Sequence, residues 1–266
     1  PCPGAVAAAV RGYATDVPEG HLLHRTAREI TADLAGEVVT ATSPQGRLDV
    51  GDVDGRRLER AEAYGKHLLV RLENAPVVHV HLGMRGLFLR YPDPTEPPRK
   101  GVRLRLSGSV AWDLIAPTTC ELLPPERVTR LVAGLGPDPL RDDADPDEAV
   151  RRLRAARGPV AAAMVDQAVW AGVGNAWRAE LLFLERIDPA MPAGALPPGR
   201  ARSLWDRTAE LMALGRDAGQ VVSDPAAPDE RWVYKRDTCR SCGAPVRTSA
   251  IGGRTSYACP AEQRAP

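Results

Sequence analysis

Between residues 20 and 35 the apolar positions Leu23, Ala27, Ile30 and Leu34 recur at steps of three and four, so they share one face of a helix that Gly36 stops. The period then changes. From 37 to 123 apolar and polar residues alternate: Leu68, Val70 and Leu72; Val78, Val80 and Leu82; Val102, Leu104 and Leu106 with Arg103 and Arg105 between them. This predicts antiparallel sheet with one wet face, punctuated by turns at Tyr64-Gly65 and Ser107-Gly108. His79 and His81 fall on the face opposite the valines, where a surface or partly buried histidine is expected rather than a metal pair. A hinge rich in Pro and Asp follows, Leu135-Gly136-Pro137-Asp138-Pro139-Leu140 and on to Asp145. Beyond it the pattern is helical. Asp145 as N-cap, Pro146 first and Glu148 three residues after the cap open one helix, Gly158-Pro159 breaks it, and 160–170 form the next. The turn Ala171-Gly172-Val173-Gly174 and Asn175 lead into a helix over 176–187, and a last one covers 198–218 with Leu204, Leu211 and Leu214 inward.

Composition adds little until the chain is divided. The 266 residues, 44% hydrophobic and 26% charged, suit a soluble globular protein, and the length favours two domains. The net charge of +1 hides an asymmetry: residues 231–266 carry seven Arg or Lys against Asp237 and Glu262, a net of +5, which leaves −4 for the remainder. A basic tail on a near-neutral body suggests a polyanionic partner. The five cysteines are uneven, with Cys239, Cys242 and Cys259 near the end; an odd count and a Cys-x-x-Cys argue for metal and a reducing compartment over disulfides. The apolar run over 5–10 is too short to span a membrane and poorly flanked for a signal peptide, which points to a cytoplasmic protein.

The candidate chemistry begins at Val17-Pro18-Glu19-Gly20-His21. A proline at a chain terminus carries a secondary amine titrating near ~8, able to attack a sugar aldehyde carbon at neutral pH. An acid one residue later can protonate the ring oxygen and shuttle protons through the imine. That chemistry needs Pro18 to be residue one, whereas an amide nitrogen has no lone pair to offer. Valine at 17 is what a GTG start codon looks like when translated from upstream, so residues 1–17 are expected to be an extension absent from the active protein and poorly ordered when present. Further on, Gly172-Val173-Gly174-Asn175 at a helix N-terminus offers backbone N–H groups and a side-chain amide to an anion. Cys239-Arg240-Ser241-Cys242, sixteen residues, then Cys259-Pro260-Ala261-Glu262 has the spacing of a zinc ribbon with a carboxylate in the fourth position.

Taken in order, Pro-Glu-Gly-His at 18–21, Gly-Lys-His-Leu-Leu at 65–69, His-Leu-Gly-Met-Arg-Gly at 81–86, Asp-Gln at 166–167, Ala-Gly-Val-Gly-Asn at 171–175 and the Arg254 finger resemble the formamidopyrimidine-DNA glycosylase / endonuclease VIII family, most nearly its actinobacterial endonuclease VIII branch. The resemblance covers 18–263 and implies an α+β protein. Its parts would be a helix-flanked antiparallel β-sandwich catalytic domain (18–134), an all-α helix-two-turn-helix DNA-binding module (135–230) and a zinc-finger β-hairpin (231–266). It implies a monomeric base-excision-repair DNA glycosylase with AP lyase activity on damaged double-stranded DNA, cytoplasmic and associated with the nucleoid. Pro18 would be the Schiff-base nucleophile and Glu19 the proton shuttle. Lys66, Asn175 and Arg254 would hold phosphates flanking the everted nucleotide, Met84 would wedge into the stack, and structural zinc would sit on Cys239, Cys242, Cys259 and Glu262. Two departures stand out: Asp113-Leu-Ile-Ala-Pro117 replaces an arginine-bearing loop, and Glu262 replaces a cysteine. The short polar stretch 219–230 favours oxidised pyrimidines over purines. The competing expectation is a non-catalytic DNA-binding protein that keeps the clamp without the chemistry; an RNA-binding ribbon protein is disfavoured because only 5% of residues are aromatic.

Overall fold

The computed structural model describes residues 11–12 and 18–263, so the expected disorder over 1–17 lies outside the described residues except for Arg11 and Gly12. The chain divides into two compact units. One takes in Pro18, Thr26–Glu62 and His67–Val128; the other takes in Glu19–Arg25, Ala63–Lys66 and the chain from Thr129 onward.

In the first unit the alternation becomes sheet: β1 (Arg11–Gly12), β2 (Val38–Thr42), β3 (Arg56–Tyr64), β4 (His67–Leu72), β5 (Val77–His81), β6 (Leu87–Tyr91), β7 (Val102–Ser107), β8 (Ala111–Ile115) and β9 (Thr119–Leu123). They form one sheet in the order β1-β6-β8-β7-β2-β3-β4-β5-β9. β2 is shared between its halves: Val38 and Val39 pair with β3, whereas residues 40–42 pair with β7. The helix α1 (Gly20–Leu34) lies where the three- and four-residue steps placed it, with Leu23, Ala27, Ile30 and Leu34 buried. Asp33 on its last turn accepts from Arg90 Nε and Nη2 at 2.7 and 2.9 Å and from Trp112 Nε1 at 2.9 Å, which pins the helix to β6 and β8. A second helix, α2 (Pro125–Ala133), follows β9.

The wet face expected beside Val102, Leu104 and Leu106 is not wet at Arg105. That residue is 5% exposed, its Nε lies 3.5 Å from buried Asp113, and its guanidinium sits over the Tyr91 ring. It also donates to the Pro94 carbonyl, so the segment after β6 covers a charge that alternation alone places in solvent.

The second unit is helical: α3 (Pro146–Ala155), α4 (Val160–Val165), α5 (Asn175–Leu184) and α6 (Pro198–Ala218), followed by the hairpin β10 (Arg247–Ile251) and β11 (Arg254–Ala258). Asp145 caps α3 as expected, accepting from the amides of Asp147 and Glu148. The helix expected over 160–170 stops at Val165, because Asp166 turns the chain by accepting the Ala168 amide through its side chain. On α6 the buried stripe runs through Ala201, Leu204, Trp205, Thr208, Leu211, Met212 and Gly215, so Leu214, expected inward, stands off the stripe and is 40% exposed. The tryptophans Trp170, Trp177 and Trp205 fill the centre of this unit. Among the described residues no helix is long and apolar enough to cross a membrane.

Candidate active site

The first turn of α1 belongs to the second unit and is anchored there residue by residue. Glu19 Oε2 accepts the Gly174 amide at 2.9 Å and Oε1 accepts the Ala176 amide at 2.8 Å, so this carboxylate caps the N-terminus of α5 from elsewhere in the chain. Burial is complete, and it raises the carboxyl above the ordinary range; Lys66 and the backbone N–H groups of α5 pull the other way without reversing the shift. A carboxyl whose proton affinity is raised in a dry pocket is suited to general acid work.

That fit requires small residues. A Cβ on Gly20 would stand 2.7 Å from Gly172 Cα, and one on Gly174 would stand 2.2 Å from the Glu19 carboxyl carbon. Gly172 adopts φ +96°, a conformation side chains rarely allow, and its carbonyl accepts the Gly20 amide at 2.9 Å. The glycines of three separate motifs, at 20, 65 and 172, therefore meet as backbone against backbone.

Lys66 Nζ donates to the Val173 carbonyl at 2.8 Å, which also accepts from Gln167 Nε2 at 3.1 Å. Burial lowers the ammonium below its ordinary value, Arg254 adds to this and Glu19 opposes it, so all three charges share one field. The turn that carries Lys66 is set by the hinge: buried Asp138 accepts the Gly65 amide at 2.6 Å, His24 Nε2 at 2.7 Å and the Leu140 amide at 2.9 Å. His21 is buried against Trp177, whose Nε1–H donates to His21 Nδ1 at 2.9 Å; burial pushes the imidazole down to about 3, which keeps it neutral.

Asn175, the first residue of α5, donates its amide to the Thr255 carbonyl at 3.0 Å and accepts from Arg178. Arg178, fully buried three residues on, also reaches the carbonyls of Ile251 at 3.1 Å and Thr255 at 3.0 Å, one on each strand of the hairpin. Burial lowers its guanidinium to about 10. Arg254 begins β11 directly after the Gly252-Gly253 turn and is exposed. Glu180 fixes the approach to the hairpin: its carboxylate accepts the amides of Trp232, Val233 and Tyr234 and the Ser223 hydroxyl. The structure thus brings Glu19, Lys66, Asn175 and Arg254 into one unit. Pro18 is half-buried and bonded to Glu19, while Met84 lies in the first unit, 73% exposed on a turn whose Gly86 amide returns to the Leu82 carbonyl.

His21, Asp138, Arg178 and Glu180 were not anticipated. Glu180 left a signal in Ala179-Glu180-Leu181-Leu182-Phe183, a lone carboxylate inside an apolar run, and Arg178 left one in its i, i+3 spacing from Asn175. Trp177, the partner of His21, and Gly65 and His24, which Asp138 ties to the hinge, lie more than 70 residues away and leave no local trace.

The thiols of Cys239, Cys242 and Cys259 lie within 4.8 Å of one another, and the Cys242 and Cys259 sulfurs are 3.5 Å apart. Tetrahedral zinc with Zn–S near 2.3 Å separates two sulfurs by about 3.8 Å, so the three fit such an ion. Glu262 Oε1 accepts from Ser241 Oγ at 3.3 Å, within the first knuckle, and Oε2 lies 3.7 Å from Arg186. Gln263 locks the second knuckle, accepting the Cys259 amide at 2.8 Å and donating to the Ile187 carbonyl at 2.9 Å.

Two family models match the chain, the formamidopyrimidine-DNA glycosylase N-terminal domain over residues 16–117 and the corresponding H2TH domain over 135–224. Endonuclease 8 1 of Mycobacterium tuberculosis is 40% identical over 264 residues, covering 92% of this chain and 98% of that protein. The formamidopyrimidine-DNA glycosylase of Methylococcus capsulatus is 35% identical over 275 residues, covering 93% and 100%. The fold matches that of Lactococcus lactis Fpg in complex with DNA containing an abasic site, with a TM-score of 0.79 at 21% identity over 93% of this chain and 100% of the other. An antiparallel sheet, a helical middle and a cysteine-bearing hairpin, with a dry carboxyl among cations, make up a base-excision-repair DNA glycosylase. The chain belongs to the formamidopyrimidine-DNA glycosylase / endonuclease VIII family.

Proposed function

We propose that the protein removes oxidised bases, pyrimidines in preference, from double-stranded DNA and nicks the resulting abasic site through an imine at Pro18. The observation that carries this reading is the Glu19 carboxyl, buried, raised by burial and seated on the N-terminus of α5 beside Lys66 and Arg254. With Pro18 as the first residue of the mature protein, its amine attacks the anomeric carbon, Glu19 protonates the sugar ring oxygen, and the C1′–N bond breaks as the base departs. The iminium then acidifies the 2′ carbon; loss of that proton expels the 3′ phosphate, and a further elimination expels the 5′ phosphate. Lys66, Asn175 and Arg254 hold phosphates around the everted nucleotide, and Met84 fills the gap in the stack, offsetting an eversion cost of a few kcal/mol. The short stretch 219–230 leaves little chain to cap a purine, which supports the pyrimidine preference.

Zinc, when bound, supplies a structural tie between the two knuckles, held by Cys239, Cys242 and Cys259 with Glu262 as the fourth ligand. The thiol cluster does not include Glu262, whose carboxylate accepts from Ser241 and lies 3.7 Å from Arg186, so it would have to turn inward to complete the site.

Borohydride reduction of an imine with an abasic-site oligonucleotide tests the nucleophile. A form beginning at Pro18 should be trapped and should leave β- or β,δ-elimination ends, while a form beginning at Pro1 should bind without trapping. Efficient trapping of the longer form, with Pro1 verified as its terminus, would assign the nucleophile elsewhere. Binding without trapping by both forms would leave a damaged-DNA binding protein.

A further inference from the structure

Gln167, the second residue of the Asp-Gln motif, takes no part in the chemistry proposed above, yet both polar atoms of its side chain are committed. Oε1 accepts the Gly172 amide at 2.9 Å, and Nε2 donates to the carbonyls of Val165 at 3.0 Å and Val173 at 3.1 Å. These partners leave the amide one orientation, because turned over it would set its oxygen against two carbonyls and its nitrogen against an N–H. The main chain is held as well: the Gln167 carbonyl accepts the Gly136 amide at 2.8 Å.

The carbonyl that Gln167 grips belongs to a peptide unit with a cation on one side and an acid on the other. The Val173 oxygen accepts Lys66 Nζ at 2.8 Å as well as Gln167, so both its lone pairs are used; across the same planar unit the Gly174 N–H donates to Glu19 Oε2 at 2.9 Å. In a trans peptide the two groups point opposite ways, so a rotation of the plane that loosens one contact loosens the other. The residues on either side, Gly172 at φ +96° and Gly174, have the widest choice of backbone angles and offer little resistance. Gln167 spans that freedom by holding the Gly172 amide and the Val173 carbonyl at once. All these residues lie in the second unit.

The peptide turns its positive end to the carboxyl and its negative end to the ammonium, and so favours the charged form of each. That opposes burial, which raises Glu19 and lowers Lys66. The other charges that reach this pair are Arg254 on β11 and Arg178 on α5, while burial keeps His21 on α1 neutral.

We propose that Gln167 is a positioning residue for base release: it holds the Val173–Gly174 peptide unit in the orientation that joins Glu19 to Lys66, so that proton donor and cation act as one coupled pair. This rests on the role of Glu19 as proton donor given above.

The test uses the full protein with Pro18 first. Without DNA, the ¹³C titration of the Glu19 carboxyl, assigned by its loss in Glu19→Gln, should move to higher pH in Gln167→Met, which fills the same space without a donor to the Val173 carbonyl. In single-turnover base release from a duplex with an oxidised pyrimidine, Gln167→Met should be roughly ten- to a hundredfold slower. Its affinity for a tetrahydrofuran-site duplex should stay within about threefold of the parent, because Lys66 keeps its charge. Gln167→Glu separates geometry from bulk. Protonated, the new carboxyl still donates once and accepts once; ionised, it only accepts and turns an oxygen on the Val173 carbonyl. Its rate relative to the parent should therefore fall as pH rises from 5 to 8. A Glu19 titration unmoved by Gln167→Met, or a rate ratio for Gln167→Glu that is flat with pH, would overturn the proposal, and the second measurement decides if the methionine variant fails to fold. A moved titration in a protein whose parent releases no base would defeat the proton-donor reading while supporting the coupled pair.

Discussion

At Glu19 two opposing effects meet, and burial wins over the helix N-terminus and Lys66. A carboxyl whose folded-state value is raised contributes stability that is complete below the unfolded value of about 4.3 and is lost as pH rises through the folded value. Glu19→Gln should therefore abolish base release at every pH and, because it never ionises, should compare more favourably in thermal midpoint with the parent at pH 8 than at pH 5. Product release on a lesion-bearing duplex and a melting series check the two halves; an equal difference at both pH values would show that Glu19 is ionised throughout. Glu19 was marked in the sequence by its place after Pro18, and Lys66 by its place after a turn glycine; the structure places both in one unit. His21 and Asp138 were not so marked, since each is defined by a partner at long separation, and Arg105 was misplaced because period two assigns faces without knowing what covers them.

Among the elements, the hairpin is bonded to α5 through Arg178, which reaches a carbonyl on each strand, and through Asn175, while the cysteine cluster brackets it, with Cys239 and Cys242 before β10 and Cys259 after β11. Arg178→Met should destabilise the protein by about 2–4 kcal/mol in urea denaturation, because it removes several charge-assisted bonds from a closed site. Lysine should not rescue it, since a point charge cannot span both strands. The metal tie should be the weaker: three thiolates and a carboxylate should give zinc that a mild chelator removes, and Glu262→Cys should raise both metal content and thermal midpoint. Zinc in the parent that resists the chelator would show Glu262 to be an adequate ligand. The helices themselves were largely legible from caps and breakers such as Asp145 and Gly158-Pro159, whereas the end of α4 depended on an Asp166 side chain turning back on its own loop. Leu214 failed for a related reason: a stripe read every third or fourth residue drifts, and the packed face of α6 passes through Met212 and Gly215 instead.

For the molecule as a whole, charge sets how binding responds to salt. The +5 carried by residues 231–266 sits on an otherwise slightly acidic chain, so attraction to a polyanion is concentrated in the hairpin region. Each phosphate neutralised contributes about 0.9 to the slope of log affinity against log salt. Lys66→Ala should weaken binding to abasic duplex and flatten that slope by about one unit. Asn175→Ala, which removes no charge, should weaken binding with the slope nearly unchanged. A steep slope surviving Lys66→Ala would place its ammonium away from the backbone.

The cap that Glu19 places on α5 spans 155 residues of chain. Ribosomes add roughly 5–20 residues per second. The acid is therefore made on the order of ten to thirty seconds before the amides that will hold it, and until Ala176 has emerged the first turn of α1 has nothing to dock against. A chain still attached to the ribosome therefore holds Glu19 undocked, and the dry setting that raises its carboxyl is withheld until the residues of α5 have been made.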